Sequence, residues 1–249
     1  MATLNLSPVR YERWLKIVFD HPAPSTDEES NEDFNWQRGI EFFISDTQLL
    51  LSHFTRMCRE FVVVSKRFTL PQLNQGIWFI LFSEVEMGKL LADETIPLKE
   101  RLDCVHSMLI PFRDFVAQCE VEELENCFWM WWDLLLTFFW SEHLWRLKGD
   151  DLMEAMYADD YGTSGHNIEI SFDDLPSEAQ ALLDAMLETL IAIAELQDER
   201  AMSYGLHGLG HLRHPKGSAW LQRFIDENRT EFDDDGLKWL EQCRDGTVM

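Results

Sequence analysis

The chain is short of positive charge. Against 45 Asp and Glu it carries only 21 Lys and Arg, a formal net charge of −24 over 249 residues. A charge of that size repels phosphate backbones and anionic lipid, which argues against nucleic acid or a membrane surface as direct partner. Long apolar runs are missing too. The most apolar stretch, Phe128 to Trp140, has 13 residues and contains Asp133. A membrane span needs roughly 20, so a buried core helix is expected there. The five cysteines (Cys58, Cys104, Cys119, Cys127, Cys243) show no CxxC pair and no metal-type spacing. An odd number in a chain this long points to reduced thiols and hence to the cytoplasm. Residues 1 to 8 lack the basic start and apolar stretch of a secretory signal. Equally absent are the P-loop, the dinucleotide-binding GxGxxG and the GxSxG nucleophile elbow. No Glu stands three residues before a His, as a di-iron bundle requires, and the nearest approach is Asp103 before His106. No cofactor is therefore expected.

What the chain has is apolar bulk: 46% hydrophobic residues, among them 10 Trp and 17 Phe. That excludes a disordered chain and provides for a sizeable core. The apolar spacing is helical almost throughout, which predicts an all-α fold: an irregular multi-helix bundle or a short α-solenoid. Ser7-Pro8 reads as a helix start leading to about Phe19, and the acidic, Pro-containing residues 20–33 read as a loop. From Trp36 to Phe68 the apolar positions Phe43, Leu50, Phe54, Met57 and Phe61 recur at helical intervals. Pro71 and Pro97 open further helices, the second carrying a stripe from Leu102 to Cys119 with a break expected at Pro111. Residues 122–148 are apolar nearly all round, as a central helix would be. Trp129, Trp131, Trp132, Trp140 and Trp145 are expected in the core rather than around a ligand. A single helical domain over 1–249 is expected, with two possible lobes: a Trp/Phe-rich core (1–148) and an acidic loop with paired helices (149–249).

The character changes at Gly149. The 51 residues from Gly149 to Glu199 hold 14 Asp or Glu and not one Lys or Arg. Up to Asp174 the composition reads as loop, with turn chemistry at 161–165 and a hint of one extended stretch at Ile168, Ile170 and Phe172. After Pro176 a helix is expected with Leu182, Met186, Leu190 and Ile193 inward. Crowded like charges cost stability through self-repulsion, and a basic protein partner would explain retaining them. The candidate partner-binding residues are Asp150, Asp151, Glu154, Asp159, Asp160, Glu169, Asp173 and Asp174, with Tyr157, Tyr161 and Phe172 as aromatic anchors. Asp150, Asp159 and Asp173 lack the alternating oxygen ligands of a known Ca²⁺ loop. Ser164 and His166 are adjacent in sequence, but a turn explains them better than catalysis.

Residues 201–228 carry the one recognisable pattern: Gly208-Leu209-Gly210-x-Leu212, then Pro215, then Leu221, Phe224 and Ile225. This resembles a HEAT-like repeat, a helix pair closed by a Pro-containing turn, over about one repeat of the several that a solenoid stacks. The resemblance implies paired helices at the C-terminus and a binding scaffold. More loosely, an acidic helical protein with a degenerate repeat is similar to bacterial immunity proteins, which implies neutralisation of a basic toxin. His207, His211 and His214 lie at i, i+4 and i+7 and are weak candidates for a metal site, since neutral imidazoles on one helix face chelate. The favoured expectation is a non-enzymatic acidic binding protein. The alternatives are a metal-dependent enzyme using that His cluster with carboxylates such as Asp150 or Asp159, or a structural helical scaffold.

Overall fold

A computed structural model describes residues 2–20, 40–82, 87–119, 122–158 and 170–248; for 2–3, 40–42 and 152–158 it describes the backbone alone. The described chain is all-α apart from one short parallel strand pair, β1 (Ala2–Asn5) with β2 (Ile40–Phe43). Between them lies α1 (Tyr11–Phe19), and after them come α2 (Thr47–Arg59), α3 (Phe61–Ser65) and α4 (Leu70–Phe82). α5 (Met87–Ala92), α6 (Leu98–Ser107) and α7 (Leu109–Asp114) lead to the long α8 (Glu125–Ala158). α9 (Ser177–Ala194), α10 (Glu199–Leu212), α11 (Pro215–Asn228) and α12 (Asp234–Asp245) complete the bundle. No helix among the described residues is long and apolar enough to cross a membrane.

The helix ends follow local chemistry. The side chains of Asp46, Asp198 and Asp233 accept from the backbone N–H groups of Leu49, Ala201 and Gly236, at 2.9, 2.9 and 2.8 Å. Each satisfies a donor that the first helical turn leaves unpaired. Gly246 closes α12 in the left-handed conformation, with φ 67°, where glycine has no Cβ to clash.

Buried hydrophobic side chains from Leu6 to Val248 form one cluster, which α8 crosses. α8 packs on α4, α5 and α10, while α9 packs on α6, α7 and α10. At the centre are aromatic rings. Phe128 stacks on Trp131 at 5.6 Å, and Phe112 meets both edge-on at 5.3 and 5.7 Å. Arg101 is fully buried beside this core. Its guanidinium donates to the carbonyls of Ile96 (2.9 Å) and Leu91 (3.3 Å) and pairs with Glu178 at the start of α9. A buried cation needs such a set of acceptors, because desolvation is otherwise uncompensated.

Several expected boundaries moved. Ser7-Pro8 lies in a turn, α1 starts at Tyr11, and the buried Ser7 hydroxyl accepts from the Ser45 N–H at 2.6 Å. The hydroxyl caps a strand connection instead of a helix. Phe43 sits in β2 and is 46% exposed, so the helical spacing counted from Trp36 begins only at Thr47. The break near Pro111 falls three residues earlier, at Met108. Pro111 then occupies the first turn of α7, where its missing N–H costs nothing. α8 does not stop at Lys148. It turns through a non-helical residue there (φ −133°) and continues to Ala158, so 149–158 is helix and not loop. Trp145, expected in the core, is 52% exposed; Trp131 and Trp132 are fully buried, and Trp129 and Trp140 half-buried. The inward positions of α9 (Leu182, Met186, Leu190, Ile193) are all buried, as their spacing requires.

Candidate functional site

The acidic candidates divide into three groups. Asp150 and Asp151 are exposed on α8 beyond its bend, and Asp173 is exposed on the single 3-10 turn Phe172–Asp174. Asp174 is exposed but already engaged. Its carboxylate accepts from both the N–H and the hydroxyl of Ser171, each at 2.8 Å, and those bonds hold it below the usual carboxylate range. It is a capping group. Glu154 and Tyr157 lie on α8 with side chains outside the description, and Asp159, Asp160, Tyr161 and Glu169 lie outside the described residues altogether, as do Ser164, His166 and Ile168. Phe172 is not the exposed anchor expected of it. The ring is half-buried and meets His214 edge-on at 4.5 Å. No described strand passes through Ile170 or Phe172.

Beside this turn lies a hollow of about 410 Å³, open to solvent, walled by Trp140, Leu144 and Phe172 with Asp173 and Arg213 at its edge. Arg213 is the residue that ends α10, at φ 52°. That left-handed residue redirects the chain, and the i, i+4, i+7 reading of the histidines fails at this point. His214 leaves the α10 face and caps α11: its Nδ1 accepts from the Lys216 N–H at 3.1 Å. Its Nε2 lies 3.3 Å from Asp184 Oδ1, an oblique approach without a full hydrogen bond. Burial lowers its pKa. The three histidines therefore do not converge. Among the described residues no group of three or more His, Cys, Asp or Glu could hold a metal ion.

His207 and His211 do come together. Both stay on α10, one turn apart, and their Nε2 atoms are 3.1 Å apart. His207 is fully buried, stacked on Trp129 of α8 at 4.1 Å, with Trp239 of α12 behind that ring at 6.0 Å. Its Nδ1 faces the Trp129 carbonyl at 3.3 Å. His211 is partly exposed, and its Nδ1 lies 3.3 Å from Asp133 Oδ1. Asp133 also accepts from the Thr137 hydroxyl at 3.3 Å. Burial drives the His207 pKa down to about 4, with His211 adding to the effect. Burial lowers His211 as well, against the opposing pull of Asp133. Both shifts favour the neutral form of the ring.

Asp133 and Trp129 were not among the candidate site residues. The available signal was Asp133 itself, an acid inside an otherwise apolar run of a central helix. A charge there must face a polar partner or solvent, and the histidines of α10 supply one. All five cysteines are free thiols, four of them buried. The chain matches no protein-family model, no curated protein and no solved structure. The site has to be read from its own chemistry.

Proposed function

We propose that this chain is a non-enzymatic, cytoplasmic binding protein whose acidic surface docks a basic protein partner, in the manner of a bacterial immunity protein that neutralises a toxin. The observation that carries the reading is an excess of acid, 45 Asp and Glu against 21 Lys and Arg, that leaves exposed carboxylates without a counter-charge. Arg56 pairs with Glu60, Arg59 with Asp103, Arg113 with Asp114, Arg200 with Asp198, Lys216 with Asp184 and Arg244 with Asp245. These six cations are each matched to an acid of the same chain, while Asp150, Asp151 and Asp173 are exposed and make no ion pair among the described residues. A surplus of acid that the chain does not neutralise steers a cationic partner, raising its on-rate and making the complex salt-sensitive. The HEAT-like reading of residues 201–228 belongs to the same proposal. α10 and α11 joined by the Arg213–His214 turn would form one paired-helix unit of a binding scaffold.

The test is capture from the native host's lysate on immobilised protein, repeated with Asp150→Lys, Asp151→Lys and Asp173→Lys combined. One stoichiometric basic protein is expected, released by raised salt and retained at least tenfold less by the reversed variant. Circular dichroism checks that the variant is folded. Capture indifferent to salt and to charge reversal, or no basic partner at all, overturns the proposal.

A further inference from the structure

The His207–His211 pair brings two ring nitrogens within 3.1 Å of each other. The Trp129 carbonyl can only accept a hydrogen bond, so the His207 Nδ1 facing it at 3.3 Å carries the proton. The Asp133 carboxylate, 3.3 Å from the His211 Nδ1 without a full hydrogen bond, favours the tautomer with the proton on that nitrogen. A neutral imidazole has one proton. In that tautomer both Nε2 atoms carry bare lone pairs, held 3.1 Å apart by one helix. Two acceptors at that distance repel unless a cation lies between or beside them.

The geometry points to a divalent transition-metal site of the Zn²⁺ or Cu²⁺ type, with His207 Nε2 and His211 Nε2 as its two protein ligands. Zn–N bonds of about 2.0–2.1 Å at a tetrahedral ion separate two nitrogens by roughly 3.3 Å, close to the separation found here. The outer partners fit as well. Metal-binding histidines ordinarily give their second N–H to a carboxylate or a backbone carbonyl, which fixes the tautomer and raises the ligand's basicity. Asp133 and the Trp129 carbonyl stand in those two places. Imidazole nitrogens prefer Zn²⁺, Cu²⁺ or Ni²⁺ over Ca²⁺ and Mg²⁺, which take oxygen ligands. Arg213 repels a cation at His211, but Asp133 acts on that ring more strongly and with the opposite sign. With no third protein ligand among the described residues, the remaining positions are left to water or to a small donor from solution. This site is independent of the acidic docking surface, and either can fail without the other.

The experiment is calorimetric titration of the full chain with Zn²⁺ and with Cu²⁺, in excess Mg²⁺ to occupy surface carboxylates. Paramagnetic resonance of the Cu²⁺ form counts its nitrogens. One ion per chain and a two-nitrogen signature are expected. His211→Ala, at a partly exposed position, should lose at least tenfold in affinity and drop to one nitrogen. Asp133→Asn should weaken binding about 10- to 100-fold, and His214→Ala should leave it unchanged. Absence of one-to-one uptake by the native chain overturns the site. So does uptake that His211→Ala leaves intact, because the ion would then sit on carboxylates.

Discussion

Two interfaces of this bundle reach tight packing by opposite means. Where α7 and α8 meet, bulky rings fill the space: Phe112, Phe128 and Trp131 interlock stacked and edge-on, all essentially without exposure. Where α10 lies on α9 and α8, the side chain is missing. A Cβ on Gly205 would stand 2.5 Å from the Ala194 nitrogen, and one on Gly208 would stand 2.5 Å from Leu190 Cδ2 and 2.9 Å from Trp132 Cβ. The first interface is stabilised by buried area, the second by close approach of helix backbones. The close seam is also what brings His207 under Trp129 and His211 beside Asp133. The site is a consequence of the glycines.

The two interfaces should therefore break in opposite directions. Trp131→Ala empties the ring cluster and is expected to cost about 3–5 kcal/mol, because its neighbours cannot collapse into so large a void. Denaturant unfolding with an unchanged slope would measure it, and a loss below about 1 kcal/mol would mean the cluster is loosely packed. Gly205→Ala overfills the seam and is expected to cost about 1–3 kcal/mol despite alanine's better helix propensity. Gly217→Ala is the contrast, since its added Cβ would meet Leu187 at an ordinary 3.4 Å. It should be neutral or slightly stabilising. Equal effects at Gly205 and Gly217 would remove the idea of a close seam.

Acid sharpens the comparison with a smaller effect. His143, buried on α8 against Phe139, has its pKa lowered from 6.5 to about 4 by burial, with Arg146 and Arg101 adding to the shift. A folded-state pKa below the unfolded value means the unfolded chain takes up the proton first. Stability from this ring is fully present above pH 6.5 and falls away towards pH 4, with about 1 kcal/mol already lost at pH 6. His207, in the glycine seam, follows the same sign. Urea unfolding between pH 7.5 and 5 should show His143→Leu less acid-sensitive than the native chain. An identical pH slope in the two would show that His143 is not neutralised by burial.

Much of this was legible from residue order. The inward stripe of α9, the buried Trp131 and Trp132, and the helix pair around Pro215 all follow from spacing and from proline's missing N–H. At residues 40–43 expectation failed because of a non-local partner: the chain's beginning pairs with them to form a strand. Gly149 continues a helix although its composition reads as loop. Trp145 is exposed, three residues before α8 turns at Lys148.

The candidate site divides along the same line. The acid surplus, the apolar bulk and the i, i+4 spacing of His207 and His211 were set by the sequence alone, since charge, composition and helical period need no partner. The tertiary structure decided that His214 leaves the group, through one left-handed residue at Arg213. It also decided that Asp133 and the Trp129 carbonyl, more than seventy positions earlier in the chain, orient the remaining pair. Which acceptor faces which ring nitrogen depends on how closely two helices approach, and that distance is determined by packing across the whole core.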